Sequence, residues 1–346
     1  MQILIVILCI LAGLIAVAFI GGILLSTRPY NGPVSDHFDG KRFKNPSGVS
    51  AKGFDDVIKY MRTREPDQWQ QDPAPPLLVG NLTDVPDDAL QYTFVNHSTF
   101  LIQHGGVNLL TDPIWSERCS PFQFMGPRRM RAPGMLLSDL PEVHLVLITH
   151  NHYDHLDKNT VLQLISTHDP DFIVPLGVGD VITRWGGRVI GELDWYDSIP
   201  YQGLTVTATP CNHFSSRGIL DRNTSLWCGY TLQSEHLSVY YTGDTGYSDV
   251  FCEIGEKLGP FDVSFIPIGA FKPEWFMGPI HISPAQAVQV HQDVQSRHSV
   301  AMHFGTFPLA DDNRDTDLEH FASALSESSI SPEDFVVPVE GEVVRI

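Results

Sequence analysis

The stretch VHLVLITHNHYDHLD, residues 143–157, decides how this chain is read. Its first half, Val143 to Thr149, is an apolar run of the kind that forms a buried strand. Its second half packs His150, His152, Asp154 and His155 into one short loop, with Asn151 and Tyr153 between them. A loop leaving the end of a strand is held in fixed geometry by the sheet behind it. A lone histidine is usually a surface or core residue. Three of them with a carboxylate in so few positions point instead to metal ligation. Imidazole nitrogen and carboxylate oxygen suit zinc, and adjacent pairs of ligands can serve two ions.

Three more residues supply what that loop lacks. His213 follows the strand-like TVTATPCN, Asp244 lies in YTGDTGYS after SVYYTG, and His303 follows SVAM in HFGTF. Each stands in a polar or glycine-containing turn at the end of a strand-like run, and such ends converge at one edge of a layered sheet structure. For Asp244 alone, a turn carboxylate capping its own backbone is an equal reading, since Gly243 and Gly246 permit it.

Around these residues the chain divides into three parts. From Ile3 to Leu25 there is no charge. At about 1.5 Å per residue that run crosses a hydrocarbon core of roughly 30 Å, which predicts a transmembrane anchor over 1–27. No basic residue precedes it and no small-x-small site closes it, so a cleaved signal peptide fits less well. Arg28, Lys41, Arg42 and Lys44 follow it, which places the rest of the chain on the cytoplasmic side of a single-pass membrane protein. Residues 28–89, rich in Pro, Gly, Asp and Asn, read as a linker or extension packing on the main domain, with a short helix near Phe54 to Arg64. The domain itself is expected over 90–346. It opens with a hairpin from Leu90 to Asp112 and continues with strands in VHLVLIT, FIVPL, LTVTATP, LSVYYTG, VSFIPIG and SVAMHFG. Helical stretches at Lys158 to Thr167, Ser283 to Val294 and Asp317 to Ser326 alternate with them, so the fold class is α/β with two sheets covered by helices.

The balance of charge excludes one class of partner. With 22 Lys and Arg against 41 Asp and Glu, the formal charge is -19, which repels a nucleic-acid backbone. Bound cations would reduce that charge without changing its sign. Cys9, Cys119, Cys211, Cys228 and Cys252 form no CxxC pair and no even framework, which fits free thiols in a reducing compartment.

The HNHYDH run has the form of the HxHxDH signature, and here the chain resembles the metallo-β-lactamase superfamily. Within it the chain is similar to the N-acylphosphatidylethanolamine-hydrolysing phospholipase D family. WSERCSPFQFMGPRR, HNHYDHLD, YTGDTGYSD, PIGAFKPEWFM with HISPAQA, and MHFGTF carry that likeness, in family order, between about Leu90 and Phe307. The resemblance implies an αββα sandwich behind the anchor and two zinc ions per chain. It implies that His150, His152 and His213 hold one ion, that Asp154, His155 and His303 hold the other, and that Asp244 bridges them. His281, in PIHISPA, matches a family histidine that engages the substrate phosphate. Before it stands Ile280, where mammalian members have glutamine, a departure that bears on head-group contacts. His97 and Asp112 match family positions near the hairpin, read as buried polar groups that support the site from behind, and Asp157 is expected to orient a ligand histidine.

Two zinc ions sharing a water would make it an attacking base near neutral pH and would neutralise charge on a phosphoryl group. The expected activity is a phosphodiesterase that hydrolyses N-acylphosphatidylethanolamine-like phospholipids to an N-acylethanolamine and phosphatidic acid. A metal-dependent lactonase or carboxylic-ester hydrolase is the rival on the same scaffold, because a fold does not fix the scissile bond. Arg128 and Arg129, with Arg131 and the apolar Phe122, Phe124 and Met125, could meet lipid head groups; pairing with surface acids is the equal alternative. Trp275, with Phe276 and Met277, is either core or the wall of an acyl-chain groove. A phospholipid substrate and the bilayer are thus the expected partners, with no nucleic acid, and a homodimer is left open.

Overall fold

A computed structural model of the chain describes residues 13, 19–72, 80–83, 85–86 and 88–346. Most of the run expected to form an anchor lies outside the described residues. Of it, residues 19–25 are helical, and no helix among the described residues is long and apolar enough to cross a membrane.

The first sheet is built from β1 (Gln91–Asn96), β2 (Thr99–His104), β3 (Val107–Thr111), β4 (Leu145–Leu147), β5 (Asp171–Pro175) and β6 (Arg188–Leu193), with β14 (Val343–Arg345) added beside β1. The second contains β7 (Ser198–Tyr201), β8 (Leu204–Thr209), β9 (Gly229–Gln233), β10 (Ser238–Tyr241), β11 (Phe261–Pro267), β12 (Ser296–Met302) and β13 (Phe335–Val336), in that spatial order. Each sheet has seven strands and changes character part-way across. Neighbours from β14 to β3 are antiparallel, and those from β3 to β6 are parallel. In the other sheet β7 to β10 are antiparallel, and β10 to β13 are parallel.

The two-residue period of a strand explains why the decisive stretch is apolar throughout. Leu145 and Leu147 point inward, to a core shared with Tyr230, Val239 and Phe265 of the second sheet. Val146 and Ile148 point outward, against Val161 and Leu164 of the helix Lys158–His168. Helices Val250–Leu258, Pro284–Asp293 and Arg314–Ser326 cover the outer face of the second sheet, lending Phe251, Ala287 and Phe321 to the core. The result is the helix–sheet–sheet–helix sandwich that the pattern of elements predicts. The helix starts are chemically marked: Ser283 forms a capping box with Gln286 ahead of Pro284, and Asp157 caps Lys158–His168 through Thr160 N.

The expected opening hairpin is a three-stranded meander, because the chain turns a first time at His97 and Ser98, where His97 has φ 49°. The extension lies against this body. Phe38 and Phe43, with ring centres 4.5 Å apart, share a cluster with Leu226 and Trp227. Further along, Tyr60 donates a hydrogen bond to Asp311 and stacks on Phe276 at 4.5 Å.

Candidate metal centre

The parallel strands set the site. The loop after β4 carries His150 to His155, the turn after β10 carries Asp244, and the turn after β12 carries His303; His213 follows β8 and His281 precedes the helix Pro284–Asp293. Residues from five separate segments thereby meet at one edge of the sandwich. His150, His155, His213, Asp244, His281 and His303 are all buried.

Within this cluster the ligand-type atoms of His150, His152 and His213 lie within 4.8 Å of one another, and so do those of His97, Asp154, His155 and His303. Asp244 adjoins both, grouping with His150 and His155 and again with His213 and His281. Its Oδ2 is 3.1 Å from His155 Nε2, 3.0 Å from His303 Nε2 and 3.8 Å from His213 Nε2. Asp154 Oδ2 is 3.4 Å from His155 Nε2 and 3.6 Å from His303 Nε2.

The hydrogen bonds behind the rings settle which nitrogens face the centre. Asp112 and a backbone carbonyl can only accept, so the ring atom touching them carries the proton. His155 Nδ1 donates to Asp112 at 2.8 Å, and His213 Nδ1 donates to Ile280 O at 2.9 Å. Thr149 gives its hydroxyl proton to Asp112 at 2.7 Å and so accepts from His150 Nδ1 at 2.9 Å. In all three rings Nε2 is left with a lone pair turned inward, and His152 Nδ1 joins it, 2.8 Å from His150 Nε2 and 3.2 Å from His213 Nε2. His155 Nε2, His303 Nε2 and Asp244 Oδ1 are buried with no aligned hydrogen-bond partner. Buried polar atoms are rarely left so. Converging lone pairs, carboxylates and orphaned atoms are what a set of cation ligands looks like before the cation is added, and the donor types suit zinc.

Electrostatics agree. Burial drives His150 well below the ordinary histidine range and His152 and His213 down to about 3 and about 4, so these rings are neutral and able to ligate. Burial also opposes charge on His155 and His303, but the carboxylates outweigh it: Asp244, Asp154 and Asp112 hold His155 well above its usual range, and Asp244 and Asp154 lift His303 to about 9. Despite their own burial, Asp154 and Asp244 are held well below the carboxylate range by His155 and His303. The carboxylates thus favour positive charge at this point, which a bound cation would supply while leaving His155 Nε2 its lone pair.

The remaining expected site residues divide. His281 is at the centre, its ring 5.2 Å from those of both His213 and His303 and its Nδ1 unpartnered. His97 donates from Nε2 to Asp154 at 3.1 Å, and Asp112 backs His155, as expected of supporting groups. Asp157 does not reach a ligand histidine; its carboxylate caps the following helix and accepts from Ser116 and Thr160. Arg129 is corrected more sharply. It is only 6% exposed, donates to Ser116 O and Ile114 O, and lies over Phe307, so it ties a loop together and presents no charge to a head group. Arg128 pairs with Glu117, and Arg131 with Glu340 and Asp72, which is the surface-acid alternative. Trp275 is turned to the extension, with the Lys59 ammonium 4.3 Å over its ring. One neighbour of the centre is not visible in the sequence: Asn45 of the extension accepts the backbone N–H of His213 at 2.9 Å. A turn-forming NPSG segment gives no sign of a partner that far along the chain.

Two sheets, helices on both outer faces and a His/Asp cluster at the strand ends define a metal-dependent hydrolase of the metallo-β-lactamase fold. The chain belongs to the β-lactamase superfamily: the family model described as "Beta-lactamase superfamily domain" matches residues 107–304. It is 39% identical over 280 residues to an uncharacterised protein of Mycobacterium tuberculosis, covering 79% of this chain and 73% of that one. It is also 39% identical over 238 residues, 64% of this chain and 66% of the other, to the Caenorhabditis elegans protein named N-acyl-phosphatidylethanolamine-hydrolyzing phospholipase D 1. Among solved structures, a metallo hydrolase of the archaeon Ignicoccus hospitalis shares the fold with a TM-score of 0.56 and 24% identity, over 75% of this chain and 98% of that one.

Proposed function

We propose that this chain is a dinuclear zinc phosphodiesterase, membrane-anchored through residues 1–27, extended by 28–89 and catalytic in 90–346. It would hydrolyse N-acylphosphatidylethanolamine-like phospholipids on the cytoplasmic side of a bilayer. The observation that carries the reading is the position of Asp244, which adjoins two ligand groups at once. The name of the nematode relative supports the lipid class, and the apolar run at the N-terminus supports the bilayer.

His150, His152 and His213 would hold one zinc, Asp154, His155 and His303 the other, with Asp244 between them. Zinc supplies Lewis acidity here, bringing water towards its conjugate base at neutral pH and offsetting charge on the phosphoryl oxygens. The chain's own groups do the rest. Asp112 and Thr149 lock the tautomers of His155 and His150, so the ligand set is formed in advance. His281, with Nδ1 free at the centre, is placed to hydrogen-bond a phosphoryl oxygen. In the reaction, water oxygen bonds to phosphorus as the bond from phosphorus to the ethanolamine oxygen breaks. The leaving oxygen takes a proton, and the products are N-acylethanolamine and phosphatidic acid.

Full-length protein loaded with zinc and supplied in parallel with N-acylphosphatidylethanolamine, a lactone and a simple carboxylic ester tests this reading. Phosphatidic acid and N-acylethanolamine should form. Asp244→Asn should lower turnover by about 10²-fold or more and reduce bound metal below two per chain. Lactone or ester turnover without any phosphodiester cleavage would refute the proposal in favour of its rival.

A further inference from the structure

The end of the apolar N-terminal run does not leave the body freely; it is bonded into it beside the metal loop. Ile219 N donates to Gly22 O at 3.1 Å, and Leu220 N donates to Ser26 Oγ at 3.1 Å. Thr27 then gives both its N–H, at 2.7 Å, and its hydroxyl, at 3.0 Å, to Asp221 Oδ2. Asp221 is 1% exposed. Its other oxygen accepts from Gly218 N at 2.8 Å and Arg217 N at 3.1 Å, so one carboxylate closes the loop 216–221 around the stem.

That loop grips the metal loop from the opposite side. Arg217 Nη1 donates to Asn151 O at 2.9 Å and to Leu156 O at 2.8 Å, two carbonyls that bracket His152, Asp154 and His155. Its guanidinium lies 4.0 Å from the centre of the Tyr153 ring, and Tyr153 returns a hydrogen bond from its hydroxyl to Arg217 O at 2.8 Å. Ser216 N completes the contact by donating to Asn151 Oδ1 at 2.9 Å. A cation held by carbonyls at both ends of a ligand-bearing loop fixes the span of that loop.

We infer that Arg217 and Asp221 are positioning residues: they buckle the stem, residues 22–27, to the loop that carries His150 to His155, and the docking of the stem thereby sets the geometry of the metal ligands. This rests on the proposal that the loop binds metal. It gives the N-terminal segment a part in the centre beyond tethering, because releasing Thr27 leaves Asp221 with fewer donors and Arg217 with a looser anchor.

The test uses the full chain in detergent, stripped of metal and titrated with cobalt(II), whose visible spectrum reports ligand geometry. Asp221→Asn and Arg217→Lys should alter that spectrum and speed metal loss to a chelator by about tenfold. Thr27→Val, which removes one hydroxyl and leaves the backbone donor, should give a smaller change in the same direction, about threefold. Combined with Arg217→Lys it should fall short of additivity, since both act through Asp221. Arg28→Ala, a neighbouring stem change outside the buckle, should match wild type. If Asp221→Asn does not fold, Thr27→Val still decides. Wild-type spectrum and release rate in Thr27→Val and Arg217→Lys would overturn the inference while leaving the metal proposal standing; a wild-type chain that takes up no cobalt would sink both.

Discussion

Asp112 shows how one residue conditions several others. Its backbone is left-handed, with φ 37°, and His97 and His303 at the same centre share that conformation, with φ 49° and 54°. Such angles are strained for residues with a Cβ and persist where surrounding bonds hold them. Asp112 is held by Thr149 N and Oγ1, His155 Nδ1 and Tyr241 Oη. Asp112→Asn offers one acceptor where two are used, and the amide's own hydrogens face donors. Metal affinity should fall by about 10- to 100-fold in equilibrium competition with a chelator, with the fold retained by circular dichroism. Unchanged affinity would show that the His155 tautomer does not depend on this carboxylate. The clustering of His and Asp side chains was legible because three imidazoles and a carboxylate crowded into residues 150–155 seldom serve a purpose besides ligation. Arg129 was misread for a physical reason: a run of arginines in sequence does not reveal which guanidinium finds buried carbonyls. Arg217, Asp221 and Asn45 were invisible, because each is an ordinary polar residue whose partners come from remote segments.

At the scale of elements, most strands buried on both faces announced themselves, β9 (GYTLQ) excepted, and the more mixed ones did not. β4, β5, β8, β10, β11 and β12 fall in apolar runs that stand out in the sequence, whereas β6 and β7 are half-exposed and β13 and β14 are too short to show a period. Which residues of the extension make its packing was equally hidden, since its contacts are single residues. His37 is one of them, stacked on Trp195 at 4.3 Å and bonded to Asp194 at 2.7 Å and Asp36 at 2.6 Å. Burial works against its charge, but Asp194 and Asp36 prevail and raise its pKa above the ordinary histidine value. A group raised in the folded state stabilises fully below its unfolded pKa and loses that contribution as pH climbs through the folded one. Between about pH 6 and about pH 9, the segment around residues 35–44 should therefore lose protection in hydrogen exchange, after correction for intrinsic rates. His37→Gln should abolish the difference, and equal protection at both ends of the range would refute it.

For the whole molecule, the two-sheet sandwich was readable from the alternation of apolar runs and helical stretches, while the change from antiparallel to parallel pairing within each sheet was not, because periodicity carries no strand direction. The body also encloses Asp112 and Asp244, each 3% exposed or less, beside the half-buried Asp154, in a chain of formal charge -19. Cations bound there count toward folding. At free metal about 100-fold above its dissociation constant, each ion contributes about 2.7 kcal/mol. With about 2–4 °C per kcal/mol for a body of this size, stripping two ions should lower the calorimetric midpoint by about 10–20 °C, and zinc should restore it. A midpoint indifferent to chelation would mean that the centre is formed and stable without ions.

The placement of β14 has a consequence for how the molecule comes into being. β1 pairs with β2 almost as soon as it is made, but its other neighbour is Val343–Arg345, so Gln91 waits for Arg345 while the rest of the sandwich is synthesised. Contacts that distant slow folding. During translation β1 is an open edge, the kind of surface that invites pairing with a foreign strand. A nonsense mutation a few codons before Val343 would make that interval permanent, and aggregation of the truncated product, rather than loss of any residue of the His/Asp cluster, is the defect to look for.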